Sequence, residues 1–246
     1  MNAFFTHSIA ATVLLAAATS VGAAEFWTHV PGNGQLTVNN PGGGTGFASV
    51  NVTGYNGSGG QFNGNFWDSG AKPADSFFRF FCIELTEHAN AGPNPYSSGL
   101  LANDQLRKLY DVAYPNKTAG DFWNGGQTSF GVFADATSAA AFQVAVWNLF
   151  FDGDLSLSGG SFQWTGATTA VSSAAQSLLD EVAAYSGTGY THWTLYRFVS
   201  PVPNTDQRSG FQNYVSATFT VPEPGSLLLL GIALAGLGAA GRRRSG

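Results

Sequence analysis

Residues 139–147 read Ala139-Ala140-Ala141-Phe142-Gln143-Val144-Ala145-Val146-Trp147, and their significance comes from one distant residue, Cys82. The stretch lies in a predicted helix that Ser138 caps and that ends near Phe151. At helical spacing, one face of this helix carries Gln143, Trp147, Phe150 and Phe151. The pattern predicts that the polar Gln143 shares a stripe with three large aromatic side chains.

Cys82 lies in a predicted strand over residues 76–87, which is rich in aromatic residues. Because side chains alternate between the two faces of a strand, one face carries Phe78, Phe80, Cys82 and Glu84. We therefore expect the thiol to point, with two phenylalanines, toward a packed layer.

The composition is typical of a secreted, turn-rich β protein. Of the 246 residues, 32 are Gly and only 10% are charged, whereas a typical soluble domain carries about 25% charged residues. The hydrophobic content of 44% is sufficient for a core. The net charge of −5 argues against a nucleic-acid partner or an anionic membrane surface, since both require clustered Lys and Arg.

Turn signals separate the other predicted elements. Strands are predicted at residues 35–38, 48–52, 193–199 and 214–221, helices at 103–111 and 172–185, and loops at 89–98 and 116–135. Asn103 or Asp104 caps the first of these helices, and Ser172 or Ser173 caps the second. We predict an α+β fold: one β-rich domain of antiparallel, sandwich-like strands with two or three short helices.

Residues 1–24 predict a secretory signal peptide. An apolar run over residues 9–18 precedes small residues that fit the cleavage rule. The run is too short to span a membrane comfortably. The mature body is therefore expected to cover residues 25–221.

The C-terminal region, residues 222–246, carries a sorting pattern. Pro222, Glu223 and Pro224 precede an apolar span at 225–241, and the basic cluster Arg242, Arg243 and Arg244 follows it. An apolar span closed by arginines predicts a transmembrane helix with the arginines on the cytoplasmic side. The region closely resembles the PEP-CTERM sorting signal of Gram-negative bacteria. That resemblance implies recognition and cleavage by an exosortase in the inner membrane. It also implies transient anchoring and delivery to the cell surface or an extracellular matrix, usually alongside exopolysaccharide.

Three pieces of the body resemble bacterial thioester domains, in the expected order over residues 76–152. Phe81-Cys82-Ile83-Glu84 is similar to the aromatic-Cys-hydrophobic-polar strand of that family. Residues 105–117 are similar to the helix and Tyr-Pro-Asn turn that follow it. Residues 142–147 are similar to the Thr-Gln-x-Ala-hydrophobic-Trp motif, with Phe142 in place of Thr. The resemblance implies that Cys82 and Gln143 condense into an intramolecular thioester and release ammonia.

A strand and a helix can hold the two side chains rigidly enough for a thioester to form. A thioester is reactive because sulfur overlaps poorly with the carbonyl group, and forming one requires the two groups to be held at contact distance. The expected surroundings are Phe80, Glu84, Phe142 and Trp147, with Glu84 as a possible base or hydrogen-bond partner. Capture of an amine or hydroxyl is a single turnover, so we expect neither an enzyme nor a cofactor.

Other kinds of site have less support in the sequence. A Cys–His nucleophile requires His88 or His192 beside Cys82. The histidines lack zinc-ligand spacing, and Asp152-Gly153-Asp154 matches only part of a calcium loop. We expect no metal.

Two functions remain open. The first is an exported surface or matrix protein that attaches covalently, as in adhesion, to amine or hydroxyl groups of a partner. The second is a non-covalent exopolysaccharide or biofilm-matrix structural protein with the same fold and a free cysteine. Tryptophans that could stack on sugars in the second case are Trp27, Trp67, Trp123 and Trp164. A free Cys82 thiol in the folded mature protein favours the second function.

Overall fold

The computed structural model describes residues 32–40, 46–68, 77–85, 87–114, 133, 135–201 and 211–219. The strands in these ranges are β1 (Asn33–Val38), β2 (Phe47–Val52), β3 (Tyr55–Gly60), β4 (Phe62–Trp67), β5 (Phe77–Cys82), β6 (Asn94–Leu101), β7 (Trp193–Val199) and β8 (Tyr214–Phe219). The helices are α1 (Asp104–Ala113), α2 (Ala136–Phe151) and α3 (Ala170–Ala183), and a 3₁₀ helix, Gly189–His192, precedes β7.

Six of these strands form a closed antiparallel barrel. The order around the barrel is β1-β4-β5-β8-β7-β6, while β2 and β3 form a separate hairpin. The predicted β-rich single domain with helices is confirmed, but the sandwich-like arrangement is wrong. The sheet closes because β1 pairs with β4 along one edge and with β6 along the other.

Aromatic side chains fill the barrel. Phe66 and Phe198 lie on strands that are not neighbours, yet their ring centroids are 5.1 Å apart. They therefore meet across the interior, as expected for a barrel too narrow to hold a channel. Phe78 joins them, with its ring 5.0 Å from that of Phe198.

Helix α2 is buried on all sides along most of its length. Every residue from Ala139 to Leu149 is buried, because α2 packs against β5, the β2–β3 hairpin, α1 and α3. The predicted aromatic stripe reaches the end of the helix, where Trp147 and Phe151 both lie near Phe162, but its burial does not: Phe150 is only half-buried and Phe151 is 44% exposed.

The helix caps partly match expectation. Asn103 caps α1, as predicted, by accepting a hydrogen bond from Leu106 N–H. Helix α2 is capped by Asp135 rather than Ser138, and α3 by Thr169 rather than Ser172 or Ser173. In both cases the predicted cap donates its backbone N–H to the true cap: Ser138 N–H to Asp135 Oδ1 at 2.7 Å, and Ser172 N–H to Thr169 Oγ1 at 3.3 Å.

Two predicted boundaries also differ. The strand predicted at 76–87 ends at Cys82, and the loop predicted at 89–98 contains the start of β6, because Pro95 pairs with Gln35 of β1. Proline is tolerated near the beginning of a strand, where one missing N–H interrupts the pairing little.

In the described part of the chain, no helix is both long and apolar enough to cross a membrane. The predicted signal peptide at 1–24, the predicted transmembrane span at 225–241 and most of the predicted loop at 116–135 lie outside the described residues.

Candidate functional site

The backbone of Cys82 sits at the end of β5, where the neighbouring strand β4 no longer reaches. The last pairing between β4 and β5 joins Phe62 and Phe80. On the other side, β8 continues past this point, and Ile83 N–H donates to Asn213 O at 3.0 Å. The backbone groups of successive residues point to opposite sides of a strand. Cys82 N–H and C=O therefore point away from β8, toward the side where β4 has already ended.

The side chain of Gln143 takes the place of the missing strand. Cys82 N–H donates to Gln143 Oε1 at 2.9 Å, and Gln143 Nε2 donates to Cys82 O at 2.8 Å. The carboxamide thus pairs with both backbone groups of one residue, as a neighbouring strand would. The structure brings together the two residues that the sequence analysis singled out, although 61 positions separate them.

This pair is shut away from solvent. Cys82 is 2% exposed and Gln143 is not exposed at all. Burial raises the pKa of the Cys82 thiol well above its usual range, and the charge of Glu84 adds to the effect. The cysteine therefore rests as a neutral thiol, while the surrounding protein excludes water from the carboxamide carbon.

Three tyrosines lie close to Cys82. Burial raises the pKa of each tyrosine most, and the negative charge that an ionised Cys82 would carry raises it further. They are Tyr55, Tyr96 and Tyr214. Tyr214 pairs directly with Cys82 across β5 and β8. Tyr96 donates from its hydroxyl to Gln212 O at 2.8 Å, and Tyr55 donates to Ser58 O at 2.9 Å. Of the three, only Tyr55 is not fully buried.

A pair of carboxyl groups lies just beyond Cys82. Glu84 Oε2 accepts hydrogen bonds from Asn213 N–H at 3.2 Å and from Asn213 Nδ2 at 2.7 Å. Burial raises the pKa of Glu87 to about 7, and the charge of Glu84 and a hydrogen bond to it add to the rise. Glu87 therefore holds its proton in mildly acidic solution and shares it with Glu84.

The other predicted surroundings occupy distinct places. Phe80 is inside the barrel, with its ring 4.6 Å from that of Tyr214. Trp147 lies one helical turn from Gln143, with its ring 5.5 Å from that of Tyr55. Phe142, which replaces the Thr of the motif, packs 4.5 Å from Phe81 between α2 and the outside of the barrel.

The β2–β3 hairpin also contributes to the site, although the sequence predicted only its first strand, at residues 48–52. A Cβ atom placed on Gly59 would lie 3.5 Å from Gln143 Cγ, an ordinary van der Waals distance, so the hairpin backbone faces this side chain. Tyr55, Gly57 and Gly59 alternate along β3 and share one face. That alternation of one aromatic residue with two glycines is the signal that could have identified a close approach.

Neither histidine offered as a partner for Cys82 is placed as a Cys–His nucleophile requires. His88 is exposed. His192 packs against Phe219, 5.9 Å between ring centroids, at the opposite end of β8 from Tyr214.

Metal ligands do not gather in the described ranges, where no group of three or more His, Cys, Asp or Glu side chains could hold an ion. The two carboxylates of the partial calcium pattern accept hydrogen bonds from the protein itself. Asp152 accepts from Phe162 N–H at 2.7 Å, and Asp154 from Asn148 Nδ2 at 3.0 Å.

The tryptophans proposed for sugar stacking are only partly described. Trp67 and Trp164 are half-buried, and Trp164 donates from Nε1 to Ala167 O at 3.0 Å. Trp27 and Trp123 lie outside the described residues, as does the sorting motif with Pro222, Glu223 and Pro224 and the basic cluster Arg242, Arg243 and Arg244.

Comparisons with known proteins find two similarities. Residues 220–244 match the family model for the PEP-CTERM protein-sorting motif, so the chain carries this motif where the sequence analysis predicted it. Among solved structures, the fold is similar to the N-terminal thioester domain of a protein F2-like fibronectin-binding protein from Streptococcus pneumoniae. The identity is 10% and the TM-score 0.37, over 76% of this chain and 94% of that one. A comparison of the sequence with curated proteins finds no match.

Proposed function

We propose that this chain is an exported protein that captures a partner covalently through an internal thioester between Cys82 and Gln143. The observation that carries the proposal is the pair of hydrogen bonds between the Gln143 carboxamide and the Cys82 backbone. They hold the carboxamide carbon beside the residue whose sulfur must attack it. Such positioning replaces a random encounter and lowers the barrier to an intramolecular reaction.

The bond from Cys82 N–H to Gln143 Oε1 also supports the chemistry. When sulfur attacks, the carbonyl oxygen gains negative charge, and a backbone N–H already aimed at that oxygen stabilises it. The S–H and C–N bonds break, the S–C bond forms, and the nitrogen leaves with the proton as ammonia. The buried product carries no charge, so the enclosure that raises the pKa of the thiol does not oppose the thioester.

Capture reverses the exchange at the same carbon. An amine or hydroxyl of the partner attacks the acyl carbon of Gln143, the S–C bond breaks, and Cys82 regains its proton. The product is an amide or ester between the partner and Gln143. Each molecule reacts once, so we propose a covalent adhesin or matrix component rather than an enzyme, with the PEP-CTERM motif directing it outward through an exosortase.

The test is capture of methylamine as a small nucleophile. Exported protein treated with methylamine should carry the adduct on the peptide that contains Gln143 and should gain one thiol. Cys82→Ala is the matched control, because both hydrogen bonds to Gln143 use the backbone of residue 82 and survive the substitution. An adduct that appears equally in Cys82→Ala, or on another residue, would sink the proposal.

A further inference from the structure

The reacting pair is fully covered, so a nucleophile must displace part of the protein to reach it. Cys82 is 2% exposed and Gln143 is not exposed. Part of that cover is the β2–β3 hairpin, which lies over α2 and does not pair with the barrel. The hairpin can therefore change its position without breaking the barrel ladder.

The hairpin backbone faces Gln143 at Gly59. A Cβ atom there would lie 3.5 Å from Gln143 Cγ and 3.0 Å from Val50 Cγ1. No side chain separates the strand from the acyl group at this point. The nearest side chain on the same face of β3 that can move is four residues back, at Tyr55.

The ring of Tyr55 lies along the hairpin toward Gly59. A Cβ atom on Gly57 would sit 2.6 Å from the Tyr55 hydroxyl oxygen, so the ring occupies the space that glycine leaves at 57. The same ring packs edge-on against Trp147, 5.5 Å between centroids, one turn along α2 from Gln143. Tyr55 thereby fills the gap between the hairpin and the helix next to the reacting pair.

Tyr55 is also the least firmly held of the three tyrosines around the thiol. Tyr96 and Tyr214 are 2% and 0% exposed, whereas Tyr55 is half-buried. Its hydroxyl makes one hydrogen bond, to Ser58 O, which water can replace at the surface. Rotation of this side chain costs less than moving any ring inside the barrel.

We propose that Tyr55 is the gate of the thioester and a specificity-determining residue, which admits slender nucleophiles and excludes bulky ones. The inference rests on the proposed function, because selection among nucleophiles requires a thioester that they can attack. A small amine passes when the ring rotates aside. A branched or ring-bearing amine requires the hairpin itself to lift from Gln143.

The test compares two amines on the exported full chain. Methylamine and benzylamine are each reacted with the wild-type protein, and the rate of adduct formation at Gln143 is followed by mass spectrometry. Tyr55→Ala should increase the benzylamine rate relative to the methylamine rate by about tenfold, the scale on which pockets discriminate by size. Tyr190→Ala is the matched control, since Tyr190 is half-buried on the 3₁₀ helix beside α1.

Two further variants separate gating from loss of structure. Gly57→Ala places a methyl group where the Tyr55 hydroxyl now lies and should raise the same rate ratio without altering the tyrosine. Tyr55→Phe keeps the ring and should leave the ratio unchanged. An unchanged ratio in both Tyr55→Ala and Gly57→Ala overturns the gate while the thioester stands. A wild-type protein that takes up no methylamine at Gln143 overturns the thioester and the gate together.

Discussion

The carboxamide of Gln143 stabilises the fold before any covalent bond forms. It satisfies a backbone N–H and a backbone C=O that would otherwise be buried without partners at the end of β5. Each such group left unsatisfied costs about 1–3 kcal/mol. Gln143 therefore contributes both to stability and to the proposed reaction, and its replacement should lower the free energy of unfolding as well as prevent thioester formation.

At the same scale, Glu87 makes stability depend on pH. Its pKa is about 7 in the folded protein, above the ordinary value of a glutamic acid. Between about pH 4.5 and about pH 7 the folded state holds a proton that the unfolded state has released. The free energy of unfolding therefore falls as the pH rises through this range.

Glu87→Gln removes this dependence, because an amide does not titrate. We expect urea denaturation across that range to show a shallower fall in unfolding free energy for Glu87→Gln than for the wild type. Glu181→Gln, on the exposed face of α3, serves as the control for a general change in charge. Parallel curves for wild type and Glu87→Gln would contradict the assignment.

Cys82 and Gln143 could be predicted from the sequence because both sit in short motifs, whereas the alternation of Tyr55 with Gly57 and Gly59 does not say what the strand approaches. A glycine-rich strand usually indicates a turn or a bulge. Only the packing of the hairpin on α2 reveals that Gly59 faces the side chain of Gln143.

At the scale of elements, the hairpin and α2 act as one unit around the site. Residues 139–149 are buried because the hairpin, α1, α3 and β5 all pack on the same helix. Sequence periodicity predicted the helix but not its full burial, because a helix covered on all sides has no polar face for the pattern to reveal. The predicted N-caps of α2 and α3 lie within the helices, because serine, which also caps well, follows the true caps Asp135 and Thr169.

This packing makes Gly59→Ala a test of the hairpin. The new methyl group lies 3.0 Å from Val50 Cγ1 on the partner strand β2 and in ordinary contact with Gln143 Cγ at 3.5 Å, so β2 must move away from β3 by a few tenths of an ångström. We expect a loss of about 1–3 kcal/mol in unfolding free energy, typical of overpacking, together with a smaller fraction of protein that takes up methylamine.

The matched control is Gly99→Ala on β6, where an added Cβ atom meets nothing within 4 Å. Thermal unfolding and methylamine uptake measured on both variants separate a local effect from a general cost of replacing glycine. Equal losses in the two variants would show that Gly59 is not tightly packed against Val50 as described.

At the scale of the whole molecule, the barrel holds Cys82 in a rigid sheet, and the C-terminal residues carry the sorting motif. Alternation along the strand at 76–87 predicted that Cys82 shares a face with Phe78 and Phe80, but no pattern predicted that β1 would pair with both β4 and β6. Closure depends on pairings between strands far apart in sequence, which no local pattern records. The sorting motif, by contrast, is contiguous, and residues 220–244 could be identified directly.

The most direct test of the central claim is the intact mass of the exported, untreated protein, measured beside Cys82→Ala. An intact thioester predicts a wild-type mass that is lower than the mass of its sequence by one ammonia, and a full mass for Cys82→Ala. A full wild-type mass for the folded protein from its native host would contradict the account. The fold would then serve a non-covalent role in the matrix.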